Sequence, residues 1–556
     1  MLAFVEDVLR SAEQAIITFI RRHYIGLTVI FILALFAFGV SAFTYTIAGD
    51  EWGGLLVPDY QDGVFIQIGR WLQPPIRHFL GDATPAAAFS MLGLLCLQIL
   101  SAAVIADMMK LKTRMAFFVL AAVAIFHPFW LEFVVFKYLQ IPVGVGLVMA
   151  TLYGNLMLRS LTSAMAGRLT MMMAHVIMAC VVLVLATAVY QTFIFLGVVT
   201  FLMGLLYRVF VLQEIDFQSR EVPIVLGLVA ASSAIVTVSL YAGSVVLFQQ
   251  VTGYTNPLLV QNENYALTGR IVRSPGDVAM ALQFSGILLR QYFFQAQYAF
   301  PLAAKLIFLL FLAVLVGMGY RLNRRNNRAV RMAVFLLALV AMLLVPWLLN
   351  VVRVPTLNNY RYNALMPNAF VYAMVMAVVI EQSADRAGGV LLRALSVVMI
   401  VMFVFQHNAS STATYWLNQR DMAIANRLVY MLETNEGYAF LRERGGGEFI
   451  VIGRPTGSAL LRGKPFALTP VPAPMNGAIS RCGVFNCQPR RLSEMSSLIT
   501  LDAVMYDYRP WEALPPVEQA DLQPLVATMR EFPHPDSLRI VGNRIIVVFS
   551  QTDALQ

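Results

Sequence analysis

Charge is scarce in this chain. Asp, Glu, Lys and Arg make up 13% of its 556 residues, hydrophobic residues make up 59%, and mean hydropathy is +0.70. A water-soluble fold cannot bury so large an apolar fraction, so the composition specifies a polytopic membrane protein. Nucleotide-binding signatures are missing as well: there is no P-loop, no glycine fingerprint of a dinucleotide fold and no nucleophile elbow. A nucleotide-driven pump and a nucleotide-sugar enzyme are therefore disfavoured. The six histidines are scattered and form no metal motif. The formal charge of +9 fits basic cytoplasmic loops better than nucleic acid, and no nucleic-acid partner is expected.

Cysteine is limited to four residues. Cys96 and Cys180 sit inside apolar runs and read as packing residues. Cys482 and Cys487 form a C-x4-C in a polar segment, where a disulfide fits an oxidising compartment; two free thiols are the alternative, and zinc would need two further ligands. The N-terminus lacks a secretory cleavage pattern and reads as a cytoplasmic or interfacial helix over residues 1–24, ending at Arg21-Arg22.

What the chain does have is apolar runs near the roughly 20 residues needed to cross a bilayer. Eleven are expected: Ile25–Ile47, Ala86–Asp107, Met115–Val135, Ile141–Leu158, Leu169–Tyr190, Thr192–Tyr207, Pro223–Phe248, Pro301–Tyr320, Met332–Val351, Ala364–Ile380 and Leu391–Gln406. With the N-terminus inside, the inner segments carry roughly twice the Lys and Arg of the outer ones, which fixes the orientation. An odd number of spans then puts the C-terminus outside. The expected domains are the N-terminal helix 1–24, a membrane domain 25–407 with outer loops 48–85 and 249–300, and an extracytoplasmic cap 408–556. Within the cap, Asn418–Glu443 patterns as a helix, while GEFIVIGRP and RIIVVFS read as strands, giving a small α/β domain.

The loop after the first span concentrates the chemistry. Asp50, Glu51, Asp59 and Asp62 are followed by Arg70 and Trp71, and a broken amphipathic pattern runs on from Val64 through Pro74-Pro75. Carboxylates crowded this closely repel one another. They need an arginine, a shared proton or a metal, and at least one is pushed toward a useful general-base pKa. Oxygen ligands such as Asp50 and Glu51 suit Mg2+ or Mn2+, although nothing in the sequence requires a metal. The third span ends with His127, Glu132 and Lys137, ionisable groups that are costly at membrane depth. Glu132 and Lys137 also admit a simple ion pair, and His127 admits a role limited to the carbonyls freed by Pro128. Arg270, Arg273, Arg290, Arg353 and Arg361 lie in outer loops, where each is a candidate phosphate ligand.

These residues resemble the O-antigen glucosyl transferase II family, within the polytopic GT-C glycosyltransferases that use polyprenyl-phosphate sugars. The resemblance rests on Asp50-Glu51 after the first span, Asp62 before Gly69-Arg70, the run His127-Pro128-Phe129-Trp130-Leu131-Glu132, Tyr190-Gln191 at the end of the fifth span, and Asn408, Asn418 and Asp421 opening the tail. The chain departs from the family pattern at His127, where asparagine is usual. The resemblance implies an α-helical GT-C-like membrane fold and an inverting transfer of a hexose, glucose by the family's habit. The donor would be a polyprenyl phosphate and the acceptor a hydroxyl of a lipid-linked or surface glycan, at the outer face of a bacterial inner membrane. Asp50 would be the general base, with Glu51 or Asp62 orienting the acceptor or binding a metal. Arg70, Trp71, His127, Glu132, Lys137, Tyr190, Gln191, Arg290, Arg353 and Arg361 would form the donor site. A donor synthase and a donor flippase would act upstream. The alternatives are a flippase of lipid-linked saccharide, which needs no base, and a glycan polymerase, which needs no acidic pair after its first span.

Overall fold

A computed structural model describes residues 2–44, 58–79, 87–214, 221–253, 274–286 in part, 301–322, 328–347, 366–383, 388–453 and 505–550. In chain order its helices are α1 (Leu2–Phe43), α2 (Pro58–Gln67), α3 (Gln73–Phe79), α4 (Ala87–Met108), α5 (Arg114–Phe126), α6 (Leu131–Val135), α7 (Lys137–Met165), α8 (Leu169–Val189), α9 (Phe193–Leu206), α10 (Glu221–Thr252), α11 (Leu302–Leu322), α12 (Arg328–Leu344), α13 (Pro367–Gln382), α14 (Gly388–Glu433), α15 (Tyr438–Glu443) and α16 (Pro516–Thr528). The strands are β1 (Gly446–Ile452), β2 (Met505–Pro510), β3 (Leu538–Val541) and β4 (Arg544–Val548). The chain divides into two compact units: Met1–Phe43 with Asp59–Asn408, and Thr44–Pro58 with Ala409–Gln556.

The first unit is a helical bundle. Among the described residues, eight helices are long and apolar enough to cross a membrane. Three shorter apolar helices, Arg114–Phe126, Met332–Leu344 and Pro367–Gln382, fall where the third, ninth and tenth spans are expected. The protein is thus a multi-pass membrane protein. The third of the expected spans is interrupted, and Pro128 explains it. Proline disfavours helical backbone in the residue before it, and His127 is extended, with φ −61° and ψ 135°. The chain then makes one 3-10 turn, Pro128–Trp130, before restarting as α6. Trp130 ties the break down by donating its indole N–H to the carbonyl of Ala124 at 2.5 Å.

Helix α13 is buried on every side from Pro367 to Ile380, which accounts for its lack of a polar face. It packs against α5, and α7 packs against α4, α8 and α9. Small residues set the closest approaches. A Cβ on Gly154 of α7 would lie 2.5 Å from the Thr200 hydroxyl and 3.0 Å from the backbone nitrogen of Phe201 on α9, so only glycine fits. At the far end of the bundle, the Glu381 carboxylate accepts from the backbone N–H groups of Lys112 and Thr113, both at 2.9 Å, and from the Thr113 hydroxyl at 2.7 Å. Thr113 in turn caps α5 through Ala116.

The second unit holds a four-stranded sheet in the order β2-β1-β4-β3, with β1 parallel to both β2 and β4 and β3 antiparallel to β4. Both faces are covered, which is why β1 reads as the unbroken apolar run Phe449–Ile452 rather than an alternating one. Phe449, Val451, Ile545 and Val547 pack against Ala425, Leu428 and Leu432 of α14 and Leu441 of α15. Ile450, Ile452, Ile546 and Val548 pack against Trp511 and against Leu522 and Val526 of α16. The Cys482 and Cys487 pairing lies outside the described residues.

Candidate active site

The segment between α2 and α3 is shaped by one glycine. Gly69 has φ +83°, and its N–H reaches the carbonyl of Ile66 at 3.1 Å while that of Arg70 reaches Phe65 at 2.7 Å. This pair of bonds closes α2 with a left-handed residue that a side chain would strain. The turn delivers Arg70 and Trp71 to the end of the bundle where α8 and α10 finish and α9 begins.

Two helices grip that turn. From the end of α8, the Ala188 carbonyl accepts from the N–H of Leu72 at 3.2 Å and the Val189 carbonyl from Gln73 Nε2 at 2.7 Å. Gln191 donates from Nε2 to the carbonyl of Ile68 at 2.5 Å, and its Oε1 accepts from Arg70 Nε at 3.2 Å. The guanidinium lies 4.0 Å from the centroid of the Tyr190 ring, a cation–π distance. From α10, the Tyr241 hydroxyl donates to the carbonyl of Gly69 at 3.0 Å and lies 3.3 Å from Gln191 Nε2. Trp71 donates to the Ser244 hydroxyl at 3.0 Å and stacks on Phe248 with centroids 4.1 Å apart, and Gln249 donates to the carbonyl of Gln67 at 3.3 Å. Arg70, Trp71, Tyr190 and Gln191 are therefore in one place, although the two dipeptides stand 120 positions apart in the sequence. Arg70 is half-buried, and among the described residues its two Nη groups meet no carboxylate. The arrangement leaves the forked edge of the guanidinium for an anionic oxygen, the geometry that arginine offers to phosphate.

Asp62 is buried and committed. Its Oδ1 lies 3.1 Å from Arg77 Nη1, itself buried, and its Oδ2 lies 2.6 Å from Nε2 of the half-exposed His78. Arg77 also faces the ring of Tyr138 at 5.5 Å. This carboxylate fastens α3 to α2. Asp50 and Glu51 lie outside the described residues, as do Arg290, Arg353 and Arg361. Glu132 falls on α6, and Lys137 is buried at the start of α7. His127 is fully buried among Phe129, Tyr372 and Phe403, its Nδ1 accepting from the N–H of Phe129 at 3.3 Å and its carbonyl 3.3 Å from Nε2 of the equally buried His407. No contact joins His127 to Arg70 among the described residues.

Several residues of the site escape a reading of the sequence: Gln73, Arg77, His78, Tyr241, Ser244, Phe248 and Gln249. Tyr241, Ser244, Phe248 and Gln249 follow an i, i+3, i+7, i+8 spacing near the end of an apolar helix, and the polar Tyr241, Ser244 and Gln249 on that one face were the available signal. Lys305 escapes too. It is fully buried one turn inside α11, and buried lysines in membrane helices are costly enough to mark a functional region. Among the described residues no group of three or more His, Cys, Asp or Glu is placed to hold a metal.

No curated protein and no solved structure matches the chain. A family model, Glucosyl transferase GtrII, matches residues 55–380. The matched stretch contains Asp62, Arg70, Trp71, His127, Glu132, Lys137, Tyr190, Gln191 and Tyr241, while Asp50 and Glu51 precede it. Since that stretch is more than half of the 556 residues, the chain belongs to the glucosyl transferase GtrII family.

Proposed function

We propose that this glucosyltransferase takes glucose from a polyprenyl-phosphate donor and places it, with inversion, on a hydroxyl of a lipid-linked or surface glycan. The reaction occurs at the outer face of a bacterial inner membrane. The observation that supports this reading is the fork of Arg70, held by Gln191 and Tyr190 at one end of the bundle with its Nη edge turned to no protein carboxylate among the described residues. The leaving group of such a donor is a lipid phosphate, and developing negative charge there calls for a preorganised cation rather than ATP. Arg353 and Arg361 are proposed to assist, and Arg290 and Glu132 to line the donor site.

The acceptor hydroxyl is a poor nucleophile and needs a base. Asp50 is assigned that role, with Glu51 orienting the acceptor or sharing a Mg2+ or Mn2+ ion. Asp62 is assigned to the scaffold, because Arg77 and His78 occupy both of its oxygens. The C-terminal unit is proposed to select the glycan. A donor synthase and a donor flippase would supply the substrate. General-base catalysis contributes about 10²–10⁴ in rate, so Asp50→Asn should lower kcat for transfer from polyprenyl-phosphate glucose by that factor while leaving donor binding intact. Full activity in that variant would move the base elsewhere. Saccharide-lipid binding without transfer from any donor sugar would favour a flippase.

A further inference from the structure

One face of α10 is spent on the turn that carries Arg70. Tyr241, Ser244, Phe248 and Gln249 all bond or stack on residues 67–71. Of these, only Tyr241 also reaches the side chain that holds the guanidinium. Its hydroxyl donates its proton to the carbonyl of Gly69 at 3.0 Å and lies 3.3 Å from Gln191 Nε2, whose own first acceptor is the carbonyl of Ile68. The tyrosine thus fixes the backbone on one side of Arg70 and the amide plane of Gln191 on the other. That amide orientation decides which atom faces Arg70. With Nε2 turned to Ile68 and Tyr241, Oε1 is left to accept from Arg70 Nε. Were the amide to turn over, a donor would face a donor and the guanidinium would lose its edge contact.

We infer that Tyr241 is a positioning residue for phosphate binding by Arg70. It acts through Gln191 and Gly69 and does not touch the anion. The ligand is a phosphate oxyanion, drawn either from a lipid headgroup or from free phosphate. The inference rests on the reading of Arg70 as the phosphate ligand and extends it to a helix far away in sequence. Preorganisation of this kind matters because a fork fixed before binding loses little freedom when the phosphate arrives.

The test is binding of a fluorescent polyprenyl phosphate, without sugar, to the detergent-solubilised full chain. Tyr241→Phe keeps the ring and removes only the hydroxyl, and is expected to weaken binding about five- to tenfold, the worth of one hydrogen bond. In an Arg70→Gln background the same change should have no further effect, because the two residues act as one unit. Gln191→Leu is the second variant and should reproduce the loss. Wild-type affinity in Tyr241→Phe would overturn the inference. So would an equal loss from Tyr241→Phe with and without Arg70, which is what a general structural role would give. Inorganic phosphate competing as well as the lipid would support the site and name free phosphate as its ligand. Binding that depends on Arg70 and Tyr241 without any transfer of glucose would retire the donor reading and leave this inference standing.

Discussion

Asp62 shows how much a single residue's surroundings decide. In the sequence it is one of four crowded carboxylates and looks like a candidate for proton transfer. In the fold it is buried against Arg77 and His78. Removing one member of a buried ion pair leaves its partner charged and dry, at a cost of about 3–5 kcal/mol. Asp62→Ala should therefore lower the thermal unfolding midpoint of the solubilised protein clearly, and Asp62→Asn should lower it less. A variant with unchanged stability and a specific loss of kcat would instead return Asp62 to the chemistry. Arg70, Trp71, Tyr190 and Gln191 were legible as residues because charged and aromatic groups beside apolar runs are conspicuous. Their convergence was not legible, since nothing local in a sequence says that residue 70 meets residue 191. Tyr241 was hidden for a different reason: a tyrosine within an apolar helix resembles any other interfacial aromatic until its hydroxyl is seen to have partners.

At the scale of elements, apolar run length located most helices, but it ran the third span unbroken from Met115 to Val135, through the break that Pro128 imposes after α5. Strands in the second unit were legible only where both faces are buried, as in β1 and β4. β2 escaped because its sequence, MYDYRP, is polar and ends in proline, which suits a sheet edge. Ion pairs at the far end of the bundle make an element-level prediction. Glu214, just beyond α9, is bonded by Lys110 at 2.9 Å and by Arg208 at 3.0 Å. Burial alone would raise its pKa, but these hydrogen bonds and the two positive charges outweigh burial and hold it below its ordinary value of 4.5. A carboxylate depressed in the folded state stabilises that state above its unfolded pKa, and the contribution is lost as pH falls through the folded pKa. The unfolding midpoint should therefore drop between neutral pH and about pH 3, and Glu214→Gln should flatten part of that drop. An identical pH profile in the variant would show that this cluster contributes nothing to acid stability, as screened surface pairs often do.

For the whole molecule, the proposed topology, drawn from the distribution of Lys and Arg, puts the second unit outside the cytoplasm. Replacing Cys96, Cys180, Cys482 and Cys487 and placing one cysteine at the exposed Asp521 of α16 tests this directly. A membrane-impermeant thiol reagent should label that cysteine in intact spheroplasts and should fail to label one placed at Lys112. The opposite pattern would reverse the topology and, with it, the supply of an outer-face lipid donor.

In the proposed reaction, glucose leaves a polyprenyl phosphate held by the fork of Arg70. The most direct measurement supplies purified protein with polyprenyl-phosphate glucose and cell-envelope glycan, and follows glucose incorporation together with release of polyprenyl phosphate. Wild type, Arg70→Lys and Arg70→Gln are compared. The expected result is one lipid phosphate released per glucose transferred, with kcat/KM about tenfold lower for lysine, which keeps the charge but loses the fork, and about a hundredfold lower for glutamine. Undiminished transfer in Arg70→Gln, or transfer from a nucleotide sugar in place of the lipid, would contradict it.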